Sequence, residues 1–323
     1  MTAAWAELHI HIEGTLEPAM IFDRARANKI DLIDPDEASL SRRYQFRDLQ
    51  SFLDLYYENM RVLRTEDDFF EMTAAYLRRA KRAAIGHVEL FVDPQAHSKR
   101  GIPAAVVLRG VSRALQWAEA NLGISGGIIA CVLRDEPVTA ADAMLDEVLE
   151  TGIPILGLGL DSAEVGYPPS QFVRTFDRAR AAGLHVVAHA GEDGEPDYVW
   201  QALDMLGAER IDHGIRALED ESLVKRLVAD AIPLTVCPLS NVRLRAVRSI
   251  EDHPLPRMLA LGMKVTINSD DPAYFGGYLE DNVRAVQAAF DLSEDQIQTL
   301  ALNSIDASFI SDSERGRLRA GVA

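Results

Sequence analysis

The chain has 323 residues, of which 48% are hydrophobic and 26% charged, with a formal net charge of −17. This is globular composition with material for a large core, and α/β barrels commonly occupy this length as one domain. The acidity, with no basic stripe, excludes a nucleic-acid binder, which needs clustered Lys and Arg against phosphate.

The first strand is predicted at Glu7–Ile12, where alternation puts His9 and His11 on one face. Gly14 breaks it, and Glu17–Asn28 reads as a helix. Helices then follow at Arg47–Leu63 and Glu66–Ala84. In the first of these, Phe52, Leu55, Tyr56, Met60 and Leu63 recur at amphipathic spacing. This helical insertion, spanning about 40–84, is expected to cover the fold as a lid.

A rhythm sets in after it. Apolar strands are predicted at His87–Val92, Gly127–Leu133, Ile155–Leu160, His185–Ala188, Arg210–Asp212, Leu234–Cys237 and Lys264–Asn268. Helices alternate with them at Pro103–Asn121, Ala140–Glu150, Pro169–Ala182, Pro196–Leu206, Asp220–Ala229 and Pro256–Leu261. Helices at Leu279–Phe290 and Ser293–Asn303 finish the pattern, and the charged tail from Ser311 is expected to fray. Eight short strands without polar alternation are buried on both faces, as in a parallel sheet with crossover helices. The expected fold is α/β, a single (β/α)8 TIM-type barrel forming one domain over residues 1–323.

Cys131 and Cys237 lie inside apolar runs and read as core residues, and without a Cys-x-x-Cys pair a thiolate zinc site is excluded. The N-terminus has neither a basic segment with an apolar signal core nor a long apolar span. A soluble, cytoplasmic protein with no membrane partner is expected. A homo-oligomer stays open.

In such a barrel the active site lies where strands end at the C-terminal face. His9 and His11 end the first strand, His189 the fifth, His213 the sixth, and Asp270 and Asp271 the eighth. Three imidazoles and a carboxylate, His9, His11, His189 and Asp270, suit Zn²⁺, with Fe²⁺ or Mn²⁺ as substitutes. A second ion would want a carboxylated lysine at a middle strand end. Lys29, Lys81, Lys99, Lys225 and Lys264 all lie elsewhere, so one Zn²⁺ per chain is expected. A bound ion brings water towards a neutral pKa and makes it a nucleophile. Attack on an aromatic C–NH₂ also needs a proton donor, and Glu192, three residues beyond a ligand, is the candidate. His213 could orient the water or take its proton, and Asp271 could bond a ring nitrogen. His87, His97, His185 and His253 show no polar partner cluster and read as core.

These motifs resemble one family. Leu8-His9-Ile10-His11-Ile12-Glu13-Gly14, His189-Ala190-Gly191-Glu192, Asp212-His213-Gly214, Cys237-Pro238-Leu239-Ser240-Asn241 and Asn268-Ser269-Asp270-Asp271-Pro272 are similar, in order, to the adenosine/adenine deaminases of the amidohydrolase barrels. The resemblance implies zinc on His9, His11, His189 and Asp270, with Glu192 protonating purine N1. It further implies His213 as catalytic helper and Asp271 as a substrate contact at N7. The Cys-bearing zinc motif of cytidine-type deaminases is absent.

Two departures bear on substrate. Glu13 stands where adenosine deaminases carry a ribose-reaching Asp, and Asp161-Ser162-Ala163-Glu164 replaces Asp-Leu-Ala-Gly. With Asp271-Pro272-Ala273-Tyr274-Phe275-Gly276-Gly277-Tyr278, they resemble the adenine deaminase branch. Glu13 and Glu164 are therefore expected to contact a free purine base in the space of the sugar. The expected reaction is deamination of adenine to hypoxanthine and ammonia, in purine salvage and nitrogen catabolism. Adenosine or an N6-substituted adenine is the alternative substrate, with a leaving-group pocket at Phe52, Tyr56 and Met60. Another metal hydrolase, acting on a lactone or phosphoester, has less use for Glu192. A metal-binding barrel without catalysis is the remaining alternative.

Overall fold

The computed structural model describes residues 4–322. Among them, eight strands pair in parallel and in chain order. They are β1 (Trp5–His11), β2 (Ile85–Val92), β3 (Ser125–Leu133), β4 (Gly157–Asp161), β5 (His185–Ala190), β6 (Arg210–His213), β7 (Pro233–Val236) and β8 (Lys264–Ile267). The ring closes just beyond β8, where Asp270 N–H donates to the His9 carbonyl at 3.0 Å and His11 N–H to the Asp270 carbonyl at 3.0 Å. This is a (β/α)8 barrel. Its strands read as unbroken apolar runs because helices cover the outside while side chains fill the inside.

Strand ends fall within two residues of the expected positions. Among the C-terminal ends the largest change is at β5, which continues to Ala190 because His189 pairs with Asp212 and Ala190 with His213 on β6. Sequence pattern alone does not report such a ladder.

Four helices separate β1 from β2: α1 (Pro18–Asn28), α2 (Glu37–Arg42), α3 (Leu49–Met60) and α4 (Glu66–Arg82). Both α3 and α4 start on capping boxes, Asp48 with Ser51 and Thr65 with Asp68. The helical insertion thus begins slightly earlier than expected, because Asp36 caps the unexpected α2 through the Ser39 N–H. The expected Pro196–Leu206 helix is α-helical over Pro196–Gln201 and closes in a π turn at Ala202–Leu206.

One expectation is corrected at the C-terminus. The tail does not fray but forms the helix Asp312–Arg319, capped by Ser311. Arg315 donates to the carbonyls of Ile305, Ser308 and Ile310 at 2.8, 3.2 and 3.2 Å. Leu318 packs over Gly86, where an added Cβ would stand 2.5 Å from its Cδ2. Charged composition suggested a solvated end, and these tertiary contacts overrule it.

At the opposite end of the barrel from the strand termini, Arg210 opens β6 and donates to Glu89 Oε2 at 2.5 Å. Both are fully buried, and Arg210 also holds the Leu8 carbonyl at 3.1 Å. No helix of the described residues is long and apolar enough to cross a membrane.

Candidate active site

The parallel register brings the last residues of β1, β5 and β6 and the segment after β8 to one mouth. Ligand atoms of His9, His11, His189 and Asp270 lie within 4.8 Å of one another, and all four residues are buried. His11 Nε2 is 3.2 Å from His189 Nε2 and 3.4 Å from Asp270 Oδ1. His9 Nε2 is 3.2 Å from the same oxygen. A tetrahedral ion bound at about 2.0–2.2 Å sets its ligand atoms about 3.4 Å apart. These separations match it, so the cluster can hold a metal ion.

Hydrogen bonding supports the fit. Thr235 Oγ1 donates to Asp212 Oδ1 at 2.8 Å, so its contact of 2.9 Å with His9 Nδ1 makes that nitrogen the donor. His9 Nε2 then carries a lone pair towards a carboxylate oxygen without hydrogen-bond geometry. A cation between the two resolves that contact. Asp212 Oδ2 also lies 3.6 Å from His189 Nδ1, and Asp161 Oδ2 lies 3.7 Å from His11 Nδ1, both beyond hydrogen-bond length. The Nε2 atoms of these two imidazoles face each other across the cluster at 3.2 Å.

Electrostatics agree. Burial lowers the pKa of His11, holds His189 far below the usual range, and takes His213 to about 3, leaving neutral imidazoles. At Asp270 burial acts the other way, but His9, His213 and His11 outweigh it and keep the carboxylate ionised.

Glu192 and His213 stand beside this cluster. Glu192 Oε1 accepts from Asn241 Nδ2 at 3.0 Å, and its Oε2 is 3.5 Å from His213 Nε2. Burial, then the Asp270 charge, raises the Glu192 carboxyl well above the usual range. Asp271 is raised in the same way, first by burial and then by Asp270. Its position depends on Gly14, whose added Cβ would come within 2.2 Å of Asp271 Oδ1. His213, Asp270 and Ser162 all line the cavity with positive φ, at 61°, 63° and 68°. Non-glycine residues in that region cost roughly 1–3 kcal/mol each and cluster at functional sites.

Two expected contacts are corrected. Glu13 and Glu164 do not line the cavity. Glu13 is fully buried behind it, its Oε1 2.8 Å from His97 Nε2 and accepting from the Asp93 N–H at 3.3 Å. Glu164 accepts from four backbone N–H groups, those of Gly191, Glu192, Asp193 and Gly194, at 2.7, 3.0, 2.8 and 2.6 Å. Each carboxylate is engaged in fixing backbone near the site, so neither reaches into the cavity.

The remaining histidines stay off the cavity wall, and each has a polar partner: Ser125 for His87, Glu13 for His97, Glu209 for His185 and Asn241 for His253. His185 is not core as expected, because it opens β5 with its side chain 40% exposed beside Glu209. Sequence reasoning passed over Asp93 and gave no role to Asp161 and Asn241, which it met only within longer motifs. Asp93 directly follows β2 and Asp161 ends β4, so the strand-end signal that found the histidines was available for both. Burial, with Glu13 acting on Asp93 and Asp93 on Asp161, raises both carboxyls, Asp93 to about 6. From the insertion, α3 supplies Leu49, Phe52, Tyr56 and Tyr57 to the cavity, whereas Met60 is not on its wall.

Comparison with known proteins gives concordant results. A family model described as adenosine deaminase matches residues 5–323. An adenine deaminase of Sphingopyxis alaskensis is 51% identical over 317 residues, covering 98% of this chain and 93% of that one. One from Streptomyces coelicolor is 53% identical over 314 residues, covering 97% and 92%. The crystal structure of an adenine deaminase from Arthrobacter aurescens superposes with a TM-score of 0.97 at 53% identity, covering 98% of this chain and 97% of that one.

Proposed function

This chain belongs to the adenosine deaminase family, and on that premise we propose that it is an adenine deaminase, releasing hypoxanthine and ammonia with one Zn²⁺ per chain. The observation that carries this reading is a buried Glu192, its carboxyl raised by burial, on the wall of the same cavity as a four-residue cluster able to hold a metal ion. His9, His11, His189 and Asp270 would hold the ion. When bound, it supplies the acidity that makes water a nucleophile at neutral pH.

This chain's own residues do the rest. His213, neutral and 3.5 Å from Glu192, orients the attacking water and takes its proton. Glu192 gives its proton to purine N1 as the water oxygen adds at C6; the proton held by His213 then passes to N6, the C6–N6 bond breaks with ammonia leaving, and the hydroxyl proton returns to Glu192 as the C6 carbonyl forms. Asn241 holds the Glu192 carboxyl in position at 3.0 Å. Asp271, protonated by virtue of its burial, donates to N7. Because α3 supplies part of the cavity wall, we further propose that barrel and insertion act as one unit.

Adenine is preferred to adenosine in this reading, in keeping with the relatives' names. The test is product formation from adenine, adenosine and an N6-alkyl adenine with metal-replete protein, measured as hypoxanthine or inosine. Adenine should lead in kcat/KM. A higher value for adenosine overturns the substrate assignment, and a lead for the N6-alkyl base moves specificity to the α3 wall.

A further inference from the structure

Two buried carboxylates on the cavity wall have no part in the chemistry above. Asp93 follows β2, Asp161 ends β4, and each is 2% exposed. Their carboxylate oxygens and a ring nitrogen of His11 lie within 4.8 Å of one another. Asp161 faces His11 through Oδ2 and is hydrogen-bonded to Asp93 as a carboxyl pair, while Asp93 Oδ1 has no hydrogen-bond partner among the described residues. A buried acceptor without a donor costs about 1–3 kcal/mol. The pair therefore calls for a ligand bearing N–H, or for a cation.

Neighbouring residues distinguish the two. The turn Ile12–Thr15 joins Asp93 to Asp271, since Gly14 abuts the Asp271 carboxyl while Glu13 accepts the Asp93 N–H at 3.3 Å. Asp93 and Asp271 line the same cavity, so a base whose N7 meets Asp271 can turn the other nitrogen of its five-membered ring towards Asp93. In a free purine that nitrogen carries a hydrogen, whereas in a nucleoside it carries a carbon.

We propose that Asp93, backed by Asp161, accepts the ring N–H of the free purine base and is the residue that selects base over nucleoside. This rests on the adenine reading and deepens it. Glu13 and His97 act behind it as positioning residues, holding the backbone that carries Asp93. A site built to bond a substrate N–H rejects the analogue lacking it by as much as 10⁴-fold, because its own buried acceptor is left unpaired.

The experiment compares wild type with Asp93→Ala on adenine and 9-methyladenine, which differ only at that nitrogen, with metal content measured in parallel. Wild type should favour adenine strongly. Asp93→Ala should lower kcat/KM for adenine by about 100-fold while changing 9-methyladenine far less, with metal content unchanged. Asp93→Leu, similar in size but without an acceptor, gives the same comparison if the alanine variant does not fold. Equal losses on both bases overturn the proposal and leave adenine deamination standing. A second equivalent of metal in wild type, lost on substitution, also overturns it, because the pair would then be a cation site. Should wild type turn over neither base, deamination fails by itself. Calorimetric Kd values for the two bases then decide, and a preference for adenine that Asp93→Ala does not abolish counts against Asp93.

Discussion

At the scale of single residues, the site works through contrasts of charge imposed by burial. Glu192 and Asp270 are both carboxyl groups in one cavity, yet burial raises the first well above the usual range while the second, beside His9, His213 and His11, lies well below it. The proposed proton donor and the proposed metal ligand are thereby separated by environment alone. Glu192→Gln should fold and retain its metal while kcat falls by about 10²–10⁴-fold. His189→Ala should instead release the metal. Metal analysis of the two purified variants beside their kcat values checks the assignment, and parallel metal loss in both would make Glu192 a ligand.

At the scale of elements, strand ends are aimed by the loops that follow them. Glu164 gathers four N–H groups of Gly191–Gly194 and so fixes the turn that carries Glu192. Fully buried Arg134 holds the same strand end through the His189 carbonyl at 2.6 Å. Glu164→Gln replaces one acceptor oxygen by a donor facing those N–H groups. We expect kcat to fall roughly tenfold or more with metal retained, since a slightly misplaced acid loses near-attack geometry. Wild-type kcat in that variant would show that the turn holds itself. The insertion offers a second test, because α3 brings aromatic side chains to the cavity from a start capped by Asp48. Asp48→Ala should fray that start and raise KM several-fold with little change in kcat, and hydrogen exchange should quicken at the first turn of α3 before it does elsewhere.

At the scale of the molecule, the buried Arg210–Glu89 pair ties β6 to β2 across the barrel interior. Burial alone would raise Glu89, but Arg210 outweighs it and holds the carboxyl at about 2 against an ordinary 4.5. A depressed pKa adds stability that is present in full above pH 4.5 and is lost as pH falls towards about 2. Glu89→Gln leaves the guanidinium buried without its counter-charge and should cost about 3–5 kcal/mol at neutral pH. Denaturant unfolding of both proteins should show that gap constant above pH 4.5 and narrowing below it. A gap that widens on acidification would mean that Glu89 is not the ionised partner.

The sequence by itself determined the barrel and a set of strand-end residues able to hold a metal ion, for a physical reason. Strands buried on both faces must be apolar throughout, so the polar residues that end them stand out, and parallel order obliges those ends to share one mouth. His9, His11, His189, His213 and Asp270 were legible on that ground. The roles of Glu13 and Glu164 were decided only by tertiary structure, because a carboxylate in a loop looks the same whether it meets substrate or backbone N–H groups. The same holds for Asn241, whose partners Glu192 and His253 come from distant parts of the chain. The C-terminal helix likewise depends on carbonyls that another segment presents to Arg315. Local pattern records what a residue can bond, and the closed barrel decides which partner it meets.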